Sequence, residues 1–112
     1  MTIFEKIATR EIPARVVHEA DDWLAFHDAH PQAPVHVLIV PRRHFAALRE
    51  VGSDDWYVTA DALALASRVA AEYGLHEGGY RVITNDGPDA GQTVPHLHFH
   101  LLGGAKLQPG LG

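Results

Sequence analysis

Residues 94–102 read VPHLHFHLL, which sets His96, His98 and His100 one residue apart with Leu97, Phe99 and Leu101 between and after them. Alternation with period two is a strand signature, because successive side chains point to opposite faces of a sheet. The three imidazoles therefore share one face, roughly 6.5–7 Å apart at i, i+2 spacing, and the apolar residues pack on the other. Groups that titrate near neutrality are costly to bury and natural at a site. The run thus predicts a half-buried strand with a functional centre on its polar face.

Just upstream lies DGPDAGQT, residues 86–93, a tight glycine-rich loop. Gly87 and Gly91 let backbone N–H groups approach an anion closely. Gln92 and Thr93 add side-chain donors, and Asn85 stands at the end of the preceding strand-like run YRVITN, residues 80–85. Hydrogen bonds without full positive charge suit a phosphate or phosphoryl ester.

Further out, VHVLIV at 35–40 is a β-branched strand closed by Pro41. RVVHE at 15–19 and DWLAFHD at 22–28 read as two short strands of a hairpin. Ile3, Phe4 and Ile7 fall at helical spacing, predicting a short amphipathic helix over 2–9. The main helix is expected over 53–73, with Ser53 as N-cap and Gly74 as the stop. Val58, Ala62, Leu65 and Val69 form its apolar side, with Trp56, Ala60 and Leu63 beside them. The expected class is α+β: about five mostly antiparallel strands, one long helix and one short one.

At 112 residues the chain is expected to be a single domain, 1–112, without repeats or low-complexity tracts. Its 46% hydrophobic and 21% charged residues are ordinary for a globular protein. A net charge of −5 argues against binding a nucleic-acid polymer, though single nucleotides need only a few local donors. No cysteine is present, which excludes disulfides, thiol catalysis and thiolate zinc sites. The charged N-terminus lacks a signal-like apolar run and no stretch reaches a membrane span, so the expectation is a cytoplasmic protein with no membrane partner.

Three readings of the histidine row remain open on the residues alone. It could ligate a metal, with His36 or Asp28 completing the set. It could supply an imidazole nucleophile for attack on phosphorus. It could consist of buried, hydrogen-bonded histidines and surface ones. His18, His30, His44 and His76 read as surface or structural residues, Arg42 and Arg43 as a solvated pair, and Trp23 and Trp56 as core or interface residues.

Several motifs then agree with one family: IFEKI at 3–7, EIPA at 11–14, FHD at 26–28, PQAPVHVLIVPRRH at 31–44, GYRVITN at 79–85, HLHFHLL at 96–102 and LLGG at 101–104. In this order they resemble the histidine triad superfamily, and within it the nucleotide-binding Hint branch, over a core of 2–104 with a tail at 105–112. The resemblance implies a fold whose sheet continues across a two-fold homodimer, and a hydrolase for the P–N bond of purine nucleoside phosphoramidates. It implies His98 as the nucleophile forming a nucleotidyl intermediate, His100 on the phosphate oxygens, His96 as support and His36 in proton transfer. Asn85, Gly91, Gln92 and Thr93 would hold the phosphate and leaving-group region, and Asp28 the ribose hydroxyls. Ile3, Phe4, Ile7, Phe26 and His27 would line the base pocket. Some relatives carry zinc-binding cysteines near the N-terminus; without them, no metal or cofactor is expected. Thr93 replaces the serine of many Hint proteins, and GQTV looks more like the dinucleoside polyphosphate hydrolase branch, which is the alternative substrate class. A nucleotide-binding or scaffold protein without catalysis is the other alternative.

Overall fold

The computed structural model describes residues 1–110. Five strands form one sheet: β1 (Val16–Glu19), β2 (Trp23–His27), β3 (Val35–Pro41), β4 (Tyr80–Ile83) and β5 (Phe99–Gly103), in the order β1-β2-β3-β5-β4. Every neighbouring pair is antiparallel. The class and strand number agree with the sequence expectation. Insertion of β5 between β3 and β4 matters most, because it carries the histidine run to the middle of the sheet. There, Leu38 of β3 faces His100, and His36 lies two residues along the same strand.

The two faces carry different cores. On one, α2 (Tyr57–Glu72) buries Val58, Ala62, Leu65, Ala66, Val69 and Ala70. These pack with Ala25, Val37, Ile39, Leu97, Phe99 and Leu101. Each fully buried Val, Leu, Ile or Phe contributes about 1.5–3 kcal/mol, so this layer dominates stability. On the opposite face α1 (Ile3–Ala8) lays Phe4 over Leu24, Phe26, Leu38 and Val40.

A six-residue helix is marginal alone. Tertiary burial of Phe4 and a capping box hold it: the Glu5 N–H donates to Thr2 Oγ1 at 3.2 Å, and the Thr2 N–H donates to Glu5 Oε1 at 3.0 Å. Among the described residues, no helix is long and apolar enough to cross a membrane.

Several expectations need correction. The histidine strand is shorter than the alternation suggests: only His100 lies in β5, and His96 and His98 precede it. The chain leaves the ladder because its backbone groups are claimed elsewhere. The Leu97 N–H donates to the Phe45 carbonyl at 2.6 Å, and the Thr84 hydroxyl donates to the His98 carbonyl at 2.8 Å. The alternation of faces nevertheless continues, with Leu97, Phe99 and Leu101 in the core under α2.

Ser53 makes no capping bond. Residues Ser53–Asp55 form a 3-10 turn and the helix proper starts at Tyr57. Trp56 and Leu63, expected beside the buried stripe, are 66% and 55% exposed, because only one side of α2 meets the sheet. Gly74 stops the helix with φ 70°, as expected, but a further turn, α3 (Leu75–Gly78), follows it. Its anchor is Leu75, which packs where a Cβ on Gly103 would stand only 2.9 Å from Leu75 Cδ1.

Candidate active site

The hydrogen bonds assign protons to the histidine rings. A ring nitrogen facing a carbonyl oxygen must be the donor. His98 Nδ1 lies 2.7 Å from the His96 carbonyl, so it carries the hydrogen and the neutral ring is left with a lone pair on Nε2. His96 does the reverse: its Nε2–H donates to the Pro41 carbonyl at 2.9 Å, and its Nδ1 accepts from the Thr2 hydroxyl at 3.2 Å. His36 Nδ1 accepts the Gln32 backbone N–H at 3.0 Å, so the neutral ring donates from Nε2 to His100 Nδ1 at 2.9 Å. His100 is left with its hydrogen on Nε2. One face thus offers a free imidazole lone pair beside an imidazole N–H, with the His98 and His100 ring centres 5.1 Å apart.

Burial keeps these rings neutral. Desolvation is the largest cause lowering the pKa of His36, His96 and His98; Asp28 and the His96 carbonyl pull His98 the other way without prevailing. His100 is pushed down to about 4, first by desolvation and then by His98 and His36. The row therefore presents a neutral imidazole with a free Nε2 lone pair. It does not hold a ready-made imidazolium. An anionic phosphate against the His100 Nε2–H would raise that pKa again, since an opposite charge favours the protonated form.

The other expected residues divide. Phe4, from α1, sets its ring edge-on to His98 at 4.8 Å between centres and touches Phe26 at 5.8 Å. Ile7 packs at the border of the same cluster and Ile3 is half exposed. Asp28, at the end of β2, accepts the His30 N–H at 2.8 Å and places its other oxygen 3.4 Å from His36 Nε2. Thr93 stands exposed on the loop. Gly91 has φ 81° and Gly87 φ 89°, bracketing the 3-10 turn Pro88–Ala90.

Gln92 is not poised as a phosphate donor. Both its amide hydrogens are used, on the Ala46 carbonyl at 2.7 Å and the Val94 carbonyl at 3.0 Å, and its oxygen accepts the Gly87 N–H. It clamps the loop. Asn85 spends one amide hydrogen on the Ala90 carbonyl at 2.8 Å. His27, expected in the base pocket, turns to the α2 face with Trp23 and Ala25, where its ring meets the Tyr73 hydroxyl at 3.0 Å. The period of two that puts Phe26 on the histidine side puts its neighbour on the other.

The row does not converge as a metal ligand set. Among the described residues, ligand atoms lie within 4.8 Å of one another in two groups, Glu5 with His44 and His96, and Asp28 with His36 and His100. His98 belongs to neither. Arg42 and Arg43 are not phosphate donors either: Arg42 bonds the Ala20 carbonyl, and Arg43 holds Asp55 through two contacts of 2.7 and 3.0 Å. The sequence reading missed the roles of Thr2, Gln32 and Thr84. Only Thr2 left a visible signal, the T-x-x-E spacing to Glu5.

Comparison with known proteins places the fold in a family. A family profile described as HIT domain matches residues 9–107. An uncharacterized HIT-like protein of Synechococcus elongatus is 50% identical over 106 residues, covering 95% of this chain and 92% of that protein. The crystal structure of a HIT family hydrolase from Legionella pneumophila superimposes with a TM-score of 0.93 at 45% identity, covering 96% of each chain. A HIT family hydrolase from Clostridium thermocellum gives 0.94 at 44% identity, covering 98% of this chain and 96% of the other. With its paired histidines and five-stranded sheet, this chain belongs to the HIT-domain family.

Proposed function

We propose that this protein is a metal-independent hydrolase of purine nucleoside phosphoramidates, acting through a nucleotidyl intermediate on His98. The observation that carries the reading is the 2.7 Å bond from His98 Nδ1–H to the His96 carbonyl, which leaves an uncharged Nε2 lone pair for phosphorus. Attack forms a P–Nε2 bond as the P–N bond to the amine breaks. The His36–His100 pair, made more basic by the phosphate, takes up a proton from solvent as the substrate binds and passes it to the departing nitrogen. Water then attacks phosphorus and gives a proton back to the His36–His100 pair as the P–Nε2 bond breaks, releasing the nucleoside monophosphate and restoring the neutral His98 ring. The His100 Nε2–H stabilises charge on the phosphoryl oxygens, whereas the Gly87, Ala90 and Gly91 N–H groups are taken by bonds inside the loop.

Asp28 takes the ribose hydroxyls, and Ile3, Phe4, Ile7 and Phe26 form the wall for the base. Asn85, Gly91 and Thr93 flank the phosphate. The hydrolase descriptions of the Legionella and Clostridium proteins support the reaction class. Converting His98→Ala is expected to abolish turnover of adenosine 5′-phosphoramidate while AMP still binds, and undiminished turnover would refute the assignment. Excess EDTA is expected to leave the rate unchanged; its loss would favour a metal mechanism. Thr93 in place of serine favours a second reading, a dinucleoside polyphosphate hydrolase. Faster cleavage of a diadenosine polyphosphate than of the phosphoramidate would select it.

A further inference from the structure

We propose that Thr2 is a positioning residue for the nucleophile, fixing through His96 the carbonyl that sets the tautomer of His98. This rests on reading His98 as the nucleophile. The connection is continuous. The Thr2 hydroxyl accepts the Glu5 N–H at 3.2 Å, so its own hydrogen is free to reach His96 Nδ1 at 3.2 Å. The other His96 nitrogen is fixed to Pro41 at 2.9 Å. A ring held at both nitrogens, and buried to 1% exposure, permits little rotation of its residue. Its carbonyl is thereby aimed at His98 Nδ1.

Without the hydroxyl, His96 Nδ1 becomes a buried acceptor without a partner, a state proteins avoid. The residue then relieves itself by turning the ring or exchanging its tautomer, and the carbonyl moves with it. His98 loses its preference for the hydrogen on Nδ1, and molecules protonated on Nε2 cannot attack. The helix that covers the site through Phe4 thus also sets the reactivity of the ring beneath it. Glu5, His44 and His98 are the titratable groups facing His96, and Asp28, His96 and His100 those facing His98. None of them takes over the contact to the His96 carbonyl.

The test is nitrogen-15 NMR of the histidine rings at neutral pH, run beside steady-state kinetics on adenosine 5′-phosphoramidate. Wild type is expected to show His98 as the single Nδ1–H form. Thr2→Val should add an Nε2–H population and lower kcat about tenfold with KM changed less than about twofold. Thr2→Ser should restore both. Glu5→Ala, which removes half of the capping box but not the Thr2 hydroxyl, should lower Tm without changing either readout.

If Thr2→Val does not fold, Thr2→Gly serves, because glycine is nearly as good an N-cap. An unchanged His98 tautomer, or an unchanged kcat, in a folded hydroxyl-free variant overturns the inference. If His98→Ala retains turnover, the reading of the nucleophile falls instead. A dead His98→Ala with a wild-type Thr2→Val removes only the role of Thr2.

Discussion

A neutral histidine has one hydrogen and two places to keep it, and the chemistry of this site depends on which place. The backbone decides for His98, Pro41 for His96 and the Gln32 N–H for His36. The H-x-H-x-H run and its strand partner His36 were legible as residue types at a telling spacing. Their tautomers were not, because the deciding groups are carbonyls and an N–H that every residue possesses.

Burial of the rings also has a thermodynamic consequence. The unfolded His100 titrates near 6.5 and the folded one at about 4. Between these values the unfolded chain binds a proton that the folded chain does not. Stability is therefore full above pH ~6.5 and is lost as pH falls through the window to about 4. Urea unfolding midpoints should drop across this range, and His100→Asn should make the drop shallower. A midpoint independent of pH would contradict the buried, neutral row.

At the level of elements, the loop before the histidines is held by one side chain. Gln92 joins Gly87, Ala46 and Val94 through three hydrogen bonds. Gln92→Ala is expected to destabilise the fold by about 1–3 kcal/mol, since it removes three part-buried hydrogen bonds of about 0.5–1.5 kcal/mol each. Calorimetry should show a lower Tm, and an unchanged one would deny the clamp. From sequence, Gln92 looked like a ligand donor, because an amide beside two glycines carries no mark of where it points.

Strand positions were readable from their period of two and from β-branching. Boundaries were not, since the end of the β5 ladder depends on Phe45 and Thr84, far away in sequence. The outer stripe of α2 failed for a related reason. Trp56 and Leu63 continue the apolar pattern, yet the sheet lies under only one side of the helix.

For the whole molecule, the two sheet edges differ. Strand β1 carries a register shift between Val16 and His18, a device that blunts edge pairing. Strand β4 pairs with β5 without a break, and Tyr80 at its start is exposed. We therefore propose a two-fold homodimer through the β4 edge, with the two sheets joined into one. Sedimentation velocity at micromolar concentration should return the dimer mass, and a monomer throughout would remove this proposal without touching the site chemistry.

The proposed mechanism rests on a covalent bond between His98 and phosphorus. Acid-quenching wild-type protein during turnover of adenosine 5′-phosphoramidate, followed by peptide mass spectrometry, tests it directly. An adenylyl adduct is expected on the peptide holding His98 and is expected to be absent from His98→Ala. Steady turnover with no adduct, or an adduct on a different residue, would contradict it.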